Sequence, residues 1–318
     1  MTACLNNSAR AFIFLALGCA FALLFGCSAL QRTAMPQLPE NVPAAVELKS
    51  VPFYPQDAYQ CGPASLAMAL TWSGLEITPD DLKGQVYTPS RKGSLQLAMV
   101  AATRRHAKLA YVFNDPAALF PEIAAGRPVI ILQNLGLSWL PVWHYAVVIG
   151  YDVPGQDVIL RSGITKRKVM SYYLFEKTWA RSNYWGLLVL EPGQMPARAK
   201  ENEYLAAVVG LEKARHFQAA AAGYQAAVAR WPQSLTARMG LGYSHYKLAD
   251  LKGAEDAFRE ATEIHPRSAP AFNNLAHVLM EQGRLQEALA AAQKAVALGG
   301  PQIFESEKTL QEIRSRMD

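Results

Sequence analysis

Gln56-Asp57-Ala58-Tyr59-Gln60-Cys61-Gly62-Pro63-Ala64-Ser65-Leu66-Ala67-Met68-Ala69-Leu70 is a polar loop that carries one cysteine and runs straight into an apolar helix. Pro63 suits the first helical turn, where its missing N–H would find no partner anyway, and Leu66, Ala67 and Leu70 supply a face to bury. Cys61 therefore falls at a helix N-terminus. Unpaired N–H groups and the positive end of the macrodipole there favour a thiolate, the usual electrostatic route to a nucleophilic cysteine. A buried structural thiol is the competing reading, since free cysteine is among the most buried residue types.

A partner is found in Trp143-His144-Tyr145-Ala146-Val147-Val148-Ile149-Gly150-Tyr151-Asp152, an apolar strand opened by one histidine. It ends at the turn Asp152-Val153-Pro154-Gly155, and a second strand follows from Asp157. Imidazole is the side chain suited to taking a thiol proton near neutral pH and returning it to a leaving amine.

The Cys-Gly-Pro-Ala-Ser-Leu helix start, followed about eighty residues later by His-Tyr-Ala-Val-Val-Ile-Gly-Tyr-Asp, resembles the papain-like bacteriocin-processing peptidases that remove double-glycine leaders, and their lipoprotein relatives fused to tetratricopeptide repeats. The resemblance covers about residues 48 to 192. It implies an α+β papain-like fold, hydrolysis of peptide bonds by Cys61 and His144, and an oxyanion-hole role for Gln56, with Gln60 as the alternative. The same group carries an acid followed by proline at the end of the strand after the histidine strand. Here Val158-Ile159-Leu160-Arg161-Ser162-Gly163 puts Ser162 in that place, a hydroxyl that can orient the ring and supplies no charge. Asp152, Asp157 and Asn134 are the other candidates.

The N-terminal segment reads as a targeting signal. Ala11 to Gly26 is almost wholly apolar, follows a lone Arg10, and ends in Leu24-Phe25-Gly26-Cys27. This resembles a bacterial lipoprotein signal, residues 1–26, cleaved to leave Cys27 lipidated; Cys19 is a weaker competitor, and an uncleaved anchor is the other reading. Ser28 after the cysteine resembles outer-membrane lipoproteins, which places the chain at the envelope facing the periplasm. Cys4 and Cys19 leave with the signal and Cys27 carries lipid, so Cys61 is the one free thiol of the mature chain. Losing Arg10 takes the 31 basic residues to 30 against 26 acidic, a net +4 that is too mild for a nucleic-acid partner. No metal-ligand cluster or phosphate-cradling glycine loop is found, so no cofactor is expected.

Residues 27–47, rich in Pro, Gln and small side chains, read as a linker, and residues 48–196 as the peptidase domain. Within that domain Thr78 has helix-capping chemistry and Ser94 is read as the cap of a helix running to His106. Strands are predicted from Lys108, Pro128, His144, Val158 and Trp185. Trp139, Trp143, Trp179 and Trp185 are read as core aromatics before groove lining, and 134–141 as a loop over the cleft. Residues 197–318 are a different object. Pro232 and Pro266, Tyr224 and Phe258, and Ala227 and Ala261 are each 34 residues apart, with Gly242 matched by Ala276. That period resembles tetratricopeptide repeats, beginning near Glu201, Leu235 and Ala269, with a capping helix over Gln302 to Arg316. Gly299-Gly300 is read as a helix C-cap.

Together these imply a lipid-anchored hydrolase that cleaves peptides, with an all-α repeat solenoid recruiting protein partners or substrates. The alternative is an inactive peptidase-fold scaffold that binds peptides.

Overall fold

The computed structural model describes residues 35–56 and 60–318; the segment read as a signal, Cys27 and Asp57 lie outside them. The chain begins with β1 (Ala45–Glu47) and the cysteine-bearing α1 (Cys61–Trp72). Then come α2 (Pro79–Val86), the short pair β2 (Tyr87–Thr88) and β3 (Gly93–Ser94), and α3 (Gln96–Arg105). β4 (Leu109–Phe113), α4 (Leu119–Ala124), β5 (Val129–Asn134), β6 (Trp143–Asp152), β7 (Asp157–Ser162), β8 (Thr165–Ser171), α5 (Tyr172–Ala180) and β9 (Gly186–Leu190) complete the first domain.

Apart from the β2–β3 pair, the strands form one antiparallel sheet in the order β4-β9-β5-β6-β7-β8, and β1 extends the edge of β6 beyond the end of β5. Alternation along each strand feeds two separate cores, as a sheet covered on both faces requires. Ala110, Ile130, Leu132, Tyr145, Val147 and Ile149 pack against α1, α2 and α3. Leu109, Tyr111, Val129, Ile131, Ala146 and Val148 face α4, α5 and the repeat helices.

Two local expectations change. The segment read as a linker is part of the body from Met35 onward: Met35 is buried, its N–H donates to Gln156 Oε1 at 2.9 Å, and residues 45–47 pair with β6. Leu38, Val42 and Val46 supply the apolar surface for this, packing partly buried against the core cluster of the sheet. Ser94 does not cap α3. Leu95 holds the cap position without a side-chain bond, and Ser94 lies in β3. Thr78 makes the full capping box with Asp81.

The repeat helices are α6 (Glu201–Lys213), α7 (Phe217–Arg230), α8 (Leu235–Lys247), α9 (Leu251–Ile264), α10 (Ala269–Glu281), α11 (Leu285–Leu298) and the terminal α12 (Ile303–Ser315). The 34-residue period has a packing cause. Ser234 and Ser268 accept from Ala237 and Ala271 N–H as matching N-caps. A Cβ on Gly240 or Gly242 would come within 2.2 Å of the Tyr224 ring or 2.6 Å of the Phe258 ring, so small residues admit the large ones. The two domains share one core: Tyr204, Leu205, Val208 and Leu211 of α6 belong to the same buried cluster as Leu109, Tyr111 and Leu188 of the sheet. Tyr111 Oη also donates to Glu203 at 2.7 Å.

Candidate active site

Cys61 is the first residue of α1, and Gln60 at the cap makes no side-chain bond to the exposed helix end. Gly62 is fixed by contact: a Cβ there would lie 2.2 Å from Ser94 Oγ, so only glycine lets the β2–β3 hairpin close over the helix start. The Tyr145 hydroxyl donates to the Ser94 carbonyl at 3.2 Å and ties that hairpin to β6. The lead-in to α1, residues 49–56, is held by buried Arg161, whose guanidinium donates to the carbonyls of Lys49 and Val51, each at 2.9 Å.

Gln56 is buried and bridges three elements. Its Oε1 accepts from Gly163 N–H at 2.9 Å, and its Nε2 donates to Ser65 Oγ at 3.2 Å and to the Tyr145 carbonyl at 3.4 Å. Both amide protons are thus engaged, the second through a long, weak bond.

His144 is the second residue of β6 and its Nε2 lies 2.9 Å from Ser162 Oγ, at the end of β7. Ser162 is only 4% exposed, so this contact is screened from water. The other candidates lie elsewhere. Asn134 Oδ1 accepts from Gly136 and Val142 N–H, both at 2.9 Å, and shapes the β5–β6 loop. Asp152 accepts from Gly155 N–H in the turn at the opposite end of β6.

Cys61, His144 and Gln56 line a single cleft of about 980 Å³, together with Trp143, Val142, Leu95 and Arg181 among others. Among the described residues no hydrogen bond joins Cys61 to His144. Burial pushes the Cys61 thiol up, against the backbone N–H groups of Tyr145, Gly62 and Cys61 itself, which favour the thiolate. The helix-end field expected to yield a thiolate is therefore present and outweighed by desolvation. Burial, helped by the charge of Lys168, holds His144 down at about 4, so the ring is neutral at neutral pH. The four tryptophans divide: Trp179 and Trp185 are core, Trp143 lines the cleft, and Trp139 is 77% exposed on the β5–β6 loop.

A helix-borne cysteine and a strand-borne histidine thus line one cleft at the edge of an α+β domain. Residues 48–186 match the Peptidase_C39 like family, and residues 205–269 and 257–290 match two tetratricopeptide repeat families. The chain thus carries a Peptidase_C39-like domain followed by tetratricopeptide repeats. No curated protein matches the chain. A solved structure described as a C39-like peptidase from Bacillus anthracis is 19% identical, with 49% of this chain and 99% of that one covered and a TM-score of 0.40. The first repeat domain of Spaghetti (RPAP3), bound to an HSP90 peptide, is 16% identical over 37% of this chain and 93% of that one, TM-score 0.35. The Yersinia enterocolitica type III secretion chaperone SycD, in complex with a peptide of the translocator YopD, is 15% identical over 37% and 94%, TM-score 0.35.

Proposed function

We propose that the chain is a cysteine peptidase of the bacteriocin-processing type, with Cys61 the nucleophile and His144 the proton carrier. The observation that carries this reading is the Ser162 contact on His144 Nε2, which leaves Nδ1 without a hydrogen bond among the described residues, in the cleft that Cys61 shares. With the Ser162 hydroxyl accepting from Nε2–H, Nδ1 takes the thiol proton as Sγ attacks a peptide carbonyl. The oxyanion that forms accepts from the Cys61 N–H and from the Gln56 amide, once Nε2 exchanges its long bond to Tyr145 O for the new acceptor. Collapse breaks the C–N bond, the imidazolium protonates the leaving amine, and a thioester remains on Cys61. Water activated by neutral His144 then hydrolyses it and restores the thiol. A hydroxyl beside the imidazolium supplies no countercharge, so turnover is slow for this chemistry.

A second reading, a non-catalytic peptide-binding scaffold, is favoured by the raised thiol and the lowered imidazole, neither of which suits an ion pair. Mapping new protein termini in cells carrying the wild-type chain or Cys61→Ala separates the two. Termini that vanish with Cys61 support the peptidase, and identical termini support the scaffold.

The repeat domain recruits a protein substrate or partner, through a surface that includes the small pocket formed by Tyr243, Tyr246, Asn274 and His277. Lipid on Cys27 holds the chain at the outer membrane facing the periplasm. The mass of the mature N-terminus tests this, since residues retained upstream of Cys27 would refute it.

A further inference from the structure

The cleft carries a charge bias that the chemistry of peptide hydrolysis does not require. Arg91, Lys92 and Arg181 line it, and among the described residues that do so none is acidic. Asp57 lies outside the described residues, and even with its charge counted two cations remain in surplus. Arg91 is exposed in the turn between β2 and β3. Arg181, just past α5, donates from Nη1 to the carbonyls of Asn134 at 3.0 Å and Gly136 at 2.6 Å. Neither arginine has a carboxylate partner among the described residues. Lys168 adds a positive field at His144.

The walls between these cations are apolar and left open. Leu95, Val142 and Trp143 line the cleft while about half exposed, and Trp139 and Leu140 stand on the adjoining loop, 77% and 61% exposed. A contiguous exposed apolar surface bordered by charge marks a binding face. Guanidinium groups favour carboxylates, which they hold through paired N–H donors.

We propose that the cleft selects an extended polypeptide segment that carries a carboxylate side chain beside bulky apolar residues. Arg91 and Arg181 recognise the carboxylate; Leu95, Val142 and Trp143 take the apolar side chains. This deepens the peptidase reading and rests on it only for the cleft being a peptide groove. A bilayer surface is the competing occupant for apolar residues ringed by cations. Two observations favour the peptide. The cations line the same concave cleft as Cys61, a shape that fits a chain segment better than a flat bilayer. In addition, Met35, where an N-terminal tether would leave the body, is bonded to Gln156 at the end of β6 opposite His144. Ten strand residues, roughly 33 Å, separate the two ends.

The test is binding to the full chain carrying Cys61→Ala, so that catalysis is not needed. Three fluorescein-labelled peptides, identical in their Leu and Phe residues and differing by Glu, Gln or Lys at one position, are compared by anisotropy at low and high ionic strength. The Glu peptide should bind at least about tenfold more tightly than the Gln peptide, the order expected of a hydrogen bond to a charged group. That advantage should shrink with salt and vanish in Arg91→Glu, while Trp143→Ala weakens all three. Arg181→Lys, which keeps the charge, should retain part of the preference if the loop still folds. Equal affinity for Glu and Gln peptides overturns the proposal. So does binding of none of them, whether or not the chain adsorbs to phosphatidylglycerol vesicles. Hydrolysis of the same peptides by the wild-type chain is read separately. A Glu preference without hydrolysis removes the peptidase and keeps the cleft assignment, and hydrolysis indifferent to charge does the reverse.

Discussion

Ser162 Oγ sits 2.9 Å from His144 Nε2, in the place where the resemblance implies a carboxylate. The hydroxyl fixes the ring without stabilising its protonated form. Ser162→Asp should therefore raise kcat/KM at least about tenfold, roughly 1.4 kcal/mol of transition-state stabilisation. Ser162→Ala should lower it only about fivefold, the scale of one neutral hydrogen bond. Steady-state kinetics on one peptide decide this; activity that ignores both changes while Asn134→Ala abolishes it would move the third role to Asn134.

The neutral imidazole has a pH signature. His144 is held near 4 in the fold, against about 6.5 in an unfolded chain. Between these values the unfolded chain binds more protons, so stability falls as pH falls. The contribution is fully present above about pH 6.5 and is lost as pH drops through about 4, and its full size is at most about 3.4 kcal/mol. Urea midpoints at about pH 7 and about pH 4.5 should differ less in His144→Gln than in the wild type. The acid limb of kcat/KM should likewise fall near 4, and a limb near 6.5 would show a ring less buried than described.

Gln56 joins the lead-in, α1 and β6. Gln56→Ala should lower kcat by about a hundredfold with little change in KM, as loss of one oxyanion donor does. It should also cost about 1–3 kcal/mol of stability, because Gly163 N–H loses its acceptor. A stability loss with unchanged kcat would leave Gln56 a structural brace only.

The repeat domain should prove inseparable from the peptidase domain. Removing everything after Pro196 uncovers the face of Leu109, Tyr111 and Leu188, which α6 buries. The fragment should be insoluble or lack a cooperative unfolding transition. In the full chain Leu211→Ala should cost about 2–5 kcal/mol, the range for a buried leucine, and lower one joint transition. A truncated domain that unfolds at the wild-type temperature would contradict this.

The division between what the sequence reveals and what it hides follows the range of the interactions. The α1 start, the Thr78 capping box and the 34-residue period are written in neighbouring residues or a fixed spacing, and all are found in the structure. Ser162 was legible only because a resemblance marked its place. Met35 on the sheet, Arg161 on the carbonyls of Lys49 and Val51, and α6 against β4 join segments far apart in the chain, and such pairings leave no local period. Ser94 had cap chemistry, but its hairpin is held instead by contact with Gly62 and by Tyr145. The electrostatics at Cys61 divide in the same way: a helix start is visible in sequence, whereas the burial that opposes a thiolate there is not.

The central claim is that Cys61 and His144 act as one nucleophilic pair. Its most direct measurement is the rate at which a peptide-based thiol-reactive probe labels Cys61 in the wild type, in His144→Ala and in the Cys61→Ala control, with intact mass locating the adduct. The account predicts a single adduct on wild-type Cys61, formed about a hundredfold more slowly without His144, as loss of a general base implies, and none in the control. A folded wild-type chain that stays unlabelled, or that labels equally fast without His144, would contradict it.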